Sequence, residues 1–337
     1  MRIEDLDLGD QSLFLAPMED ITDPSFRYLC KKFGADMMYT EFISSDGLIR
    51  DGAKSVKKLD ISDYERPMGI KLYGHLVESM VEATHRVVAA GPDVIDINYG
   101  CPVRKIANRG AGAGMLANIP LMMEMTRAIV EASSIPVTVK TRLGWDDQNK
   151  IIVEVAELLQ DLWISALTIH GRTRAQMYKG TADWTLIGEV KKNPRMHIPI
   201  IGNGDITTAV EAKEAFDRYG VDGIMIGRAA VGKPWLFRHI KHYLLTGELI
   251  PEPTVAEKVD MARMQFEKSL ESKEGPVGIY EMRRHFSNYF KGLPHFKEMR
   301  LKLLTSLDVP EIFSLLEQIR EQYGDERPEI AGGFWDK

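Results

Sequence analysis

Short, continuously apolar runs alternate along most of this chain with segments whose apolar residues recur every three to four positions. The runs fall at 13–17, 37–42, 69–73, 94–98, 137–141, 166–170, 198–202 and 223–226. Runs without in-out alternation are what parallel strands buried on both faces require. Between them the spacing is helical: Ile151, Val155, Leu158 and Leu159 fall on one face, as do Met122, Met125, Ile129 and Val130. Eight strand-and-helix units in succession predict an α/β fold, a (β/α)8 TIM barrel, whose usual size is ~250 residues. Gly247 to Pro253 then breaks the pattern, because two prolines within three residues mark a linker. The rest of the chain keeps helical spacing and has no strand-like run, so a small all-helical C-terminal domain is expected. The division read from the sequence is a barrel over 1–248 and a helical domain over 249–337.

Composition narrows the class. The 337 residues are 44% hydrophobic and 27% charged, ordinary for a globular protein. No apolar run approaches the ~18 residues of a membrane span. The start, Met1-Arg2-Ile3-Glu4-Asp5, has no apolar signal core, so a cytoplasmic protein is expected. Two cysteines, Cys30 and Cys101, supply neither a disulfide framework nor a zinc site, which fits a reducing compartment and no metal. A monomer is expected. The net charge of −6 argues against a generic nucleic-acid binder but leaves room for a local basic face.

Polar residues gather where a barrel does chemistry, at the C-terminal ends of its strands. The first strand ends at Ala16-Pro17-Met18, the third reaches Lys71, and the fourth delivers Asn98 and Cys101. The fifth carries Lys140 and Arg142, and the sixth ends His170-Gly171-Arg172-Thr173-Arg174. The last two end Gly202-Asn203-Gly204-Asp205 and Gly227-Arg228, where loops of many barrels hold a phosphate through backbone N–H groups. A phosphate site, a lysine on strand five and a histidine on strand six suit flavin mononucleotide, since a cation beside the flavin stabilises its reduced anion. His170 is a candidate hydrogen-bond partner of the cofactor's phosphate or ring. The run from Gly110 to Gly114 imitates a dinucleotide fingerprint, but it follows a loop rather than a strand and is discounted. Cys101, a lone thiol between Gly100 and Pro102, is a candidate proton donor, nucleophile or redox group.

Taken together, the segments 16–23, 96–102, 139–142, 170–174, 202–206 and 227–228, with 282–285 and 289–292, closely resemble the tRNA-dihydrouridine synthases, most nearly their bacterial B-type branch. The resemblance runs from about residue 12 to about residue 305. It implies an FMN barrel followed by a tRNA-binding helical domain. NADPH would reduce the flavin, which would reduce the C5–C6 double bond of a uridine in tRNA. By this resemblance Cys101 is the proton donor, and Lys140, His170, Asn203, Gly204, Gly227 and Arg228 hold the flavin. The cofactor set also takes in Ala16, Pro17, Met18, Lys71, Gly202 and Asp205. Asn98 lies beside the target base, and Arg142 and Arg174 reach substrate. Lys71 stands where the family usually has Gln. An ammonium only donates hydrogen bonds, so a second cation near Lys140 would raise the flavin potential or force one lysine to deprotonate.

The uridine would have to leave the RNA stack, and the fold of the RNA would be read elsewhere on the protein. Segment 276–302 offers Arg283, Arg284, Lys291, Lys297, Arg300 and Lys302 against Glu281 and Glu298, six charges less two, a local +4. On helical spacing Arg284, Asn288 and Lys291 share an outer face, and Met282, Phe286, Tyr289 and Leu293 share an inner one. Arg283, Arg284 and Lys291 are therefore expected to bind substrate RNA. Two other readings compete: a flavin barrel acting on a small pyrimidine, which leaves the basic helix without a purpose, and a non-catalytic RNA-binding protein, which leaves the strand-end motifs without one.

Overall fold

The structure is a computed structural model that describes residues 1–327. Its contacts divide into two compact units, one of Met1–Glu19 with Ala35–Ile226, the other of Asp20–Gly34 with the chain from Gly227 onward. A short early segment thus groups with the C-terminal part of the chain, which a linear reading of the sequence does not separate.

The first unit opens with a hairpin, β1 (Arg2–Ile3) and β2 (Leu6–Asp7). Nine parallel strands follow: β3 (Ser12–Leu15), β4 (Met38–Tyr39), β5 (Ile43–Ser44), β6 (Met68–Tyr73), β7 (Val94–Asn98), β8 (Val137–Arg142), β9 (Ala166–His170), β10 (Ile200–Asn203) and β11 (Gly223–Ile226). Their order is β3-β11-β10-β9-β8-β7-β6-β4, and a Phe14–Met37 bridge joins the two ends into a barrel of eight positions. Three of the expected runs coincide with β7, β9 and β11. The run at 37–42 does not form one strand. Thr40 turns its hydroxyl oxygen to the Lys71 amide at 3.1 Å, so a side chain replaces a ladder carbonyl and the strand breaks into β4 and β5, both paired to β6. β3 stops at Leu15, short of Pro17, which has no amide to give.

Large and small residues interlock inside the barrel. Phe14, Tyr39, Val94, Ala166, Ile201 and Met225 share one core cluster. A Cβ at Gly69 would come within 2.5 Å of the Tyr39 ring, and one at Gly223 within 2.8 Å of Phe14. Ile3 and Leu8 join the same cluster, so the hairpin, which the apolar pattern did not reveal, covers the N-terminal end of the strands. Helices Ile119–Ala132 and Ile152–Gln160 occupy the two segments of helical spacing. The inward face of the second is Ile152, Val155, Ala156 and Leu159; Leu158, expected there, is 37% exposed.

The second unit is helical. Helix Pro24–Lys32 joins Leu236–Thr246, Val255–Ser272, Val277–Tyr289, Lys297–Thr305 and Val309–Tyr323. Its core includes Leu29, Trp235, Phe266, Phe286, Tyr289 and Leu316. Glu252, in the Gly247–Pro253 stretch, accepts from the Trp235 indole at 2.9 Å and pairs with Lys233 at 2.8 Å. Met282, Phe286, Tyr289 and Leu293 are buried as their spacing predicts. The helix ends at Tyr289, however, so Lys291 and Leu293 lie in the following turn, where Gly292 and His295 take positive φ. Asn288 is not on an outer face: it is buried, its amide donates to the Arg284 carbonyl at 2.7 Å, and it packs against Gly232. No helix among the described residues is long and apolar enough to cross a membrane.

Candidate active site

The loop after β7 is the most constrained feature of the barrel mouth. The Asn98 side-chain oxygen accepts from the amides of Gly100 and Cys101, each at 3.0 Å. Arg142, at the end of β8, donates from Nε to the Gly100 carbonyl at 2.7 Å and from Nη1 to the carbonyls of Thr173 (3.0 Å) and Met177 (2.7 Å). The Ala113 amide donates to the Cys101 carbonyl at 3.0 Å. A Cβ at Gly112 would stand 2.9 Å from that same carbonyl, and its φ of +55° also favours glycine. The glycine run from 110 to 114 is thus a platform on which the Cys101 loop rests. The sequence marked this run but not its purpose.

Cys101 is 6% exposed, and burial pushes its thiol up, against the opposing pull of the Val103 amide, Arg142 and Lys140. The group is held as SH rather than as thiolate. Asn98 Nδ2 is buried and has no hydrogen-bond partner among the described residues, although its Oδ1 is fully used. Such an orphaned donor at a strand end can give its hydrogen to an acceptor atom of a ligand.

Lys140 rises between Asn98 and Thr168 in the sheet register. Burial, with Arg142 beside it, pulls its ammonium down to about 7, while Cys101 acts weakly the other way. Between pH 7 and 10.5 the unfolded chain binds a proton that the folded lysine has shed, so stability gains with rising pH across that window. We expect Lys140→Met to be more thermostable than the parent without cofactor at pH 7, with the advantage shrinking toward pH 10. A pH series of melting curves checks this, and an advantage that grows with pH would contradict it.

Lys71 is fully buried and in contact with the Asp96 carboxylate on β7, whose other oxygen accepts from the Thr138 hydroxyl at 2.6 Å. Burial and the neighbouring Lys140 push Lys71 well below the ordinary lysine range. With the Asp96 carboxylate against it, Lys71 adds no net positive charge beside Lys140.

On the next two strands, His170 ends β9 in register with Arg142, and Asn203 ends β10. Asn203 donates to the Met225 carbonyl at 2.8 Å and so laces β10 to β11. Gly204 has a φ of +129°, and a Cβ there would press on the His170 ring. Gly202 is small for a different reason: the Trp184 indole fills its place, with a Cβ 2.0 Å from the ring. Asp205 takes both ends of the Arg172 guanidinium, at 2.9 and 2.7 Å, and the Ala182 amide at 2.7 Å. Ala16 and Pro17 are buried and Met18 is half-buried just beyond β3. Arg174 stacks on Trp145, 4.6 Å from its centre, and donates to Asn108 at 3.3 Å, with its Nε buried and unpartnered among the described residues. Gly227 and Arg228 follow β11 directly and open the second unit with the turn Arg228–Ala230.

Within the second unit, Arg284 is exposed and reaches the Asp20 carbonyl at 3.5 Å. Arg283 lies over the Tyr280 ring at 4.8 Å and donates to the Thr305 carbonyl. Lys291 is half-buried. Arg172, which the sequence placed inside a motif without a separate role, is the residue whose importance only its partners reveal.

The chain matches the family model described as dihydrouridine synthase (Dus) over residues 14–321. It is 40% identical to tRNA-dihydrouridine synthase B of Pseudomonas putida over 293 residues, 86% of each chain. It is 38% identical to a probable tRNA-dihydrouridine synthase of Rickettsia conorii over 301 residues, 89% of this chain and 90% of that one. By fold it is similar to histamine dehydrogenase from Rhizobium sp. 4-9, with a TM-score of 0.55 at 13% identity over 95% of this chain and 64% of that one. It is also similar to morphinone reductase, with a TM-score of 0.52 at 13% identity over 75% of this chain and 92% of that one.

Proposed function

The chain belongs to the dihydrouridine synthase family, an oxidoreductase acting on CH–CH bonds, and we propose that it reduces the C5–C6 double bond of uridine in tRNA. FMN is the cofactor, NADPH its reductant, and the protein works in the cytoplasm as a monomer. The observation that carries this reading is the Cys101 loop, a lone protonated thiol tethered at a strand end by Asn98, Arg142 and Ala113.

The residues of the mouth suit a flavin. Lys140 offers a cation to an anionic ring, Asn98 Nδ2 offers an unused donor, and Gly204 keeps the loop after β10 clear of side-chain bulk. His170 and Asn203 stand at neighbouring strand ends beside them. When bound, the flavin supplies a hydride to pyrimidine C6. The chain's own task is the second hydrogen: the Cys101 thiol holds a proton for C5 and gives it up as charge builds there. Arg142 and Asn98 fix the backbone that carries the thiol. Burial keeps the thiol from ionising early.

The direct test uses tRNA from a strain lacking this gene, treated with the FMN-loaded protein and NADPH. A two-hydrogen mass gain at a mapped uridine is expected. No gain in tRNA, with activity on free uracil or orotate instead, would replace this reading by the small-pyrimidine one.

Binding of tRNA is assigned to the second unit, through Arg284, Lys291 and Arg283. We expect Arg284→Glu with Lys291→Glu to weaken tRNA binding about tenfold or more at moderate salt and to flatten the salt dependence by roughly two phosphate contacts. Flavin content should not change. Filter binding across a salt series reads both, and an unaltered slope would remove this surface from the interface.

A further inference from the structure

Arg172 is 2% exposed, and its guanidinium is enclosed by acceptors. Asp205 takes two of its N–H groups, and the carbonyls of Lys179 and Gly180 take two more. Its Nη1 also faces Nε2 of His170 at 3.3 Å. A guanidinium has five donors and no acceptor, and it keeps its charge at any pH a protein survives. A ring nitrogen facing it can only be the one with the lone pair.

We propose that Arg172 is a positioning residue that fixes His170 as the neutral tautomer protonated on Nδ1, with Asp205 holding Arg172 in place. The opposite tautomer would set N–H against N–H in a buried site and strand a charged donor, a preference of about tenfold or more for the Nδ1–H form. Turning the ring over would set its Cε1–H against the guanidinium in place of Nε2 and lose this contact. Asp205 anchors the arrangement from the other side through the Ala182 amide. In this tautomer the ring spends its one lone pair on Arg172 and is a donor at Nδ1. It binds acceptor atoms and takes no part in proton transfer, which leaves that work to Cys101. The functional half of this inference rests on the proposed flavin site, whereas the tautomer does not.

The test is nitrogen-15 correlation spectroscopy of the full chain labelled in histidine, with and without FMN. His170 is identified by the signals lost in His170→Asn. The parent protein is expected to show a protonated Nδ1 and a pyridine-like Nε2 in the flavin-free state. A protonated Nε2 would overturn the proposal, whatever the flavin does. Arg172→Met should shift the ring toward the Nε2–H form and lower FMN affinity at least about tenfold, and Arg172→Lys, still a pure donor, should restore much of both. A switched tautomer with unchanged FMN affinity would overturn the binding role. A correct tautomer in a protein that never takes up FMN would instead count against the flavin reading and leave the Arg172 assignment standing.

Discussion

Replacing Cys101 by alanine is expected to slow reoxidation of the reduced enzyme by tRNA about 10²–10⁴-fold, the range that general acid catalysis contributes. The loop that carries it should survive the change. Its geometry is set by backbone partners, Asn98 Oδ1 on two amides, Arg142 on the Gly100 carbonyl and Ala113 on the Cys101 carbonyl, and none of these involves the sulfur. Flavin content and tRNA affinity should therefore stay near those of the parent. Burial raises the thiol above its ordinary value, so the donor form persists through neutral pH. The parent rate should fall at alkaline pH as the thiol ionises, a limb the alanine variant should lack, whereas any change near pH 7 from Lys140 should be common to both. Single-turnover stopped-flow at several pH values measures both features. A variant that reoxidises at the parent rate would take Cys101 out of the reaction.

The largest effect on stability is expected at Asp96. Changing it to Asn leaves Lys71 fully buried without its carboxylate, and breaking a buried pair from one side costs about 3–5 kcal/mol. Lys71 sits on β6 and Asp96 on β7, in register, so the loss falls inside the closed ring of strands. The Thr138 hydroxyl, now donating to the Asp96 oxygen at 2.6 Å, would lose its charged acceptor as well. Replacing both members by apolar residues of similar volume, Lys71→Met with Asp96→Leu, should recover most of that loss, since neither partner is then left alone. Denaturant unfolding of the parent, Asp96→Asn and the double variant checks this. A single variant within about 1 kcal/mol of the parent would mean that the pair contributes little to the barrel.

Pattern along the chain was enough to fix the barrel and to set particular polar residues at its strand ends. Apolar runs long enough for one strand, separated by helical spacing, can bury both faces in few ways other than a closed parallel sheet, and β7, β9 and β11 fall where their runs do. Strand ends are fixed once strands are, so Asn98, Cys101, Lys140, His170 and Asn203 could be placed at one mouth from their positions alone. Which protein groups those side chains meet emerged only on folding. Arg142 and Arg172 look alike in sequence as basic strand-end residues, yet one meets the carbonyls of Gly100, Thr173 and Met177 and the other meets Asp205 and His170. Lys71 reads as a lone cation until the register sets Asp96 against it. Asn288 reads as an outer-face residue until Gly232 packs on it. Periodicity along one segment is a local property and survives in the sequence, whereas the partner of a polar group is set by neighbours tens of residues away, and only closure of the fold brings them together.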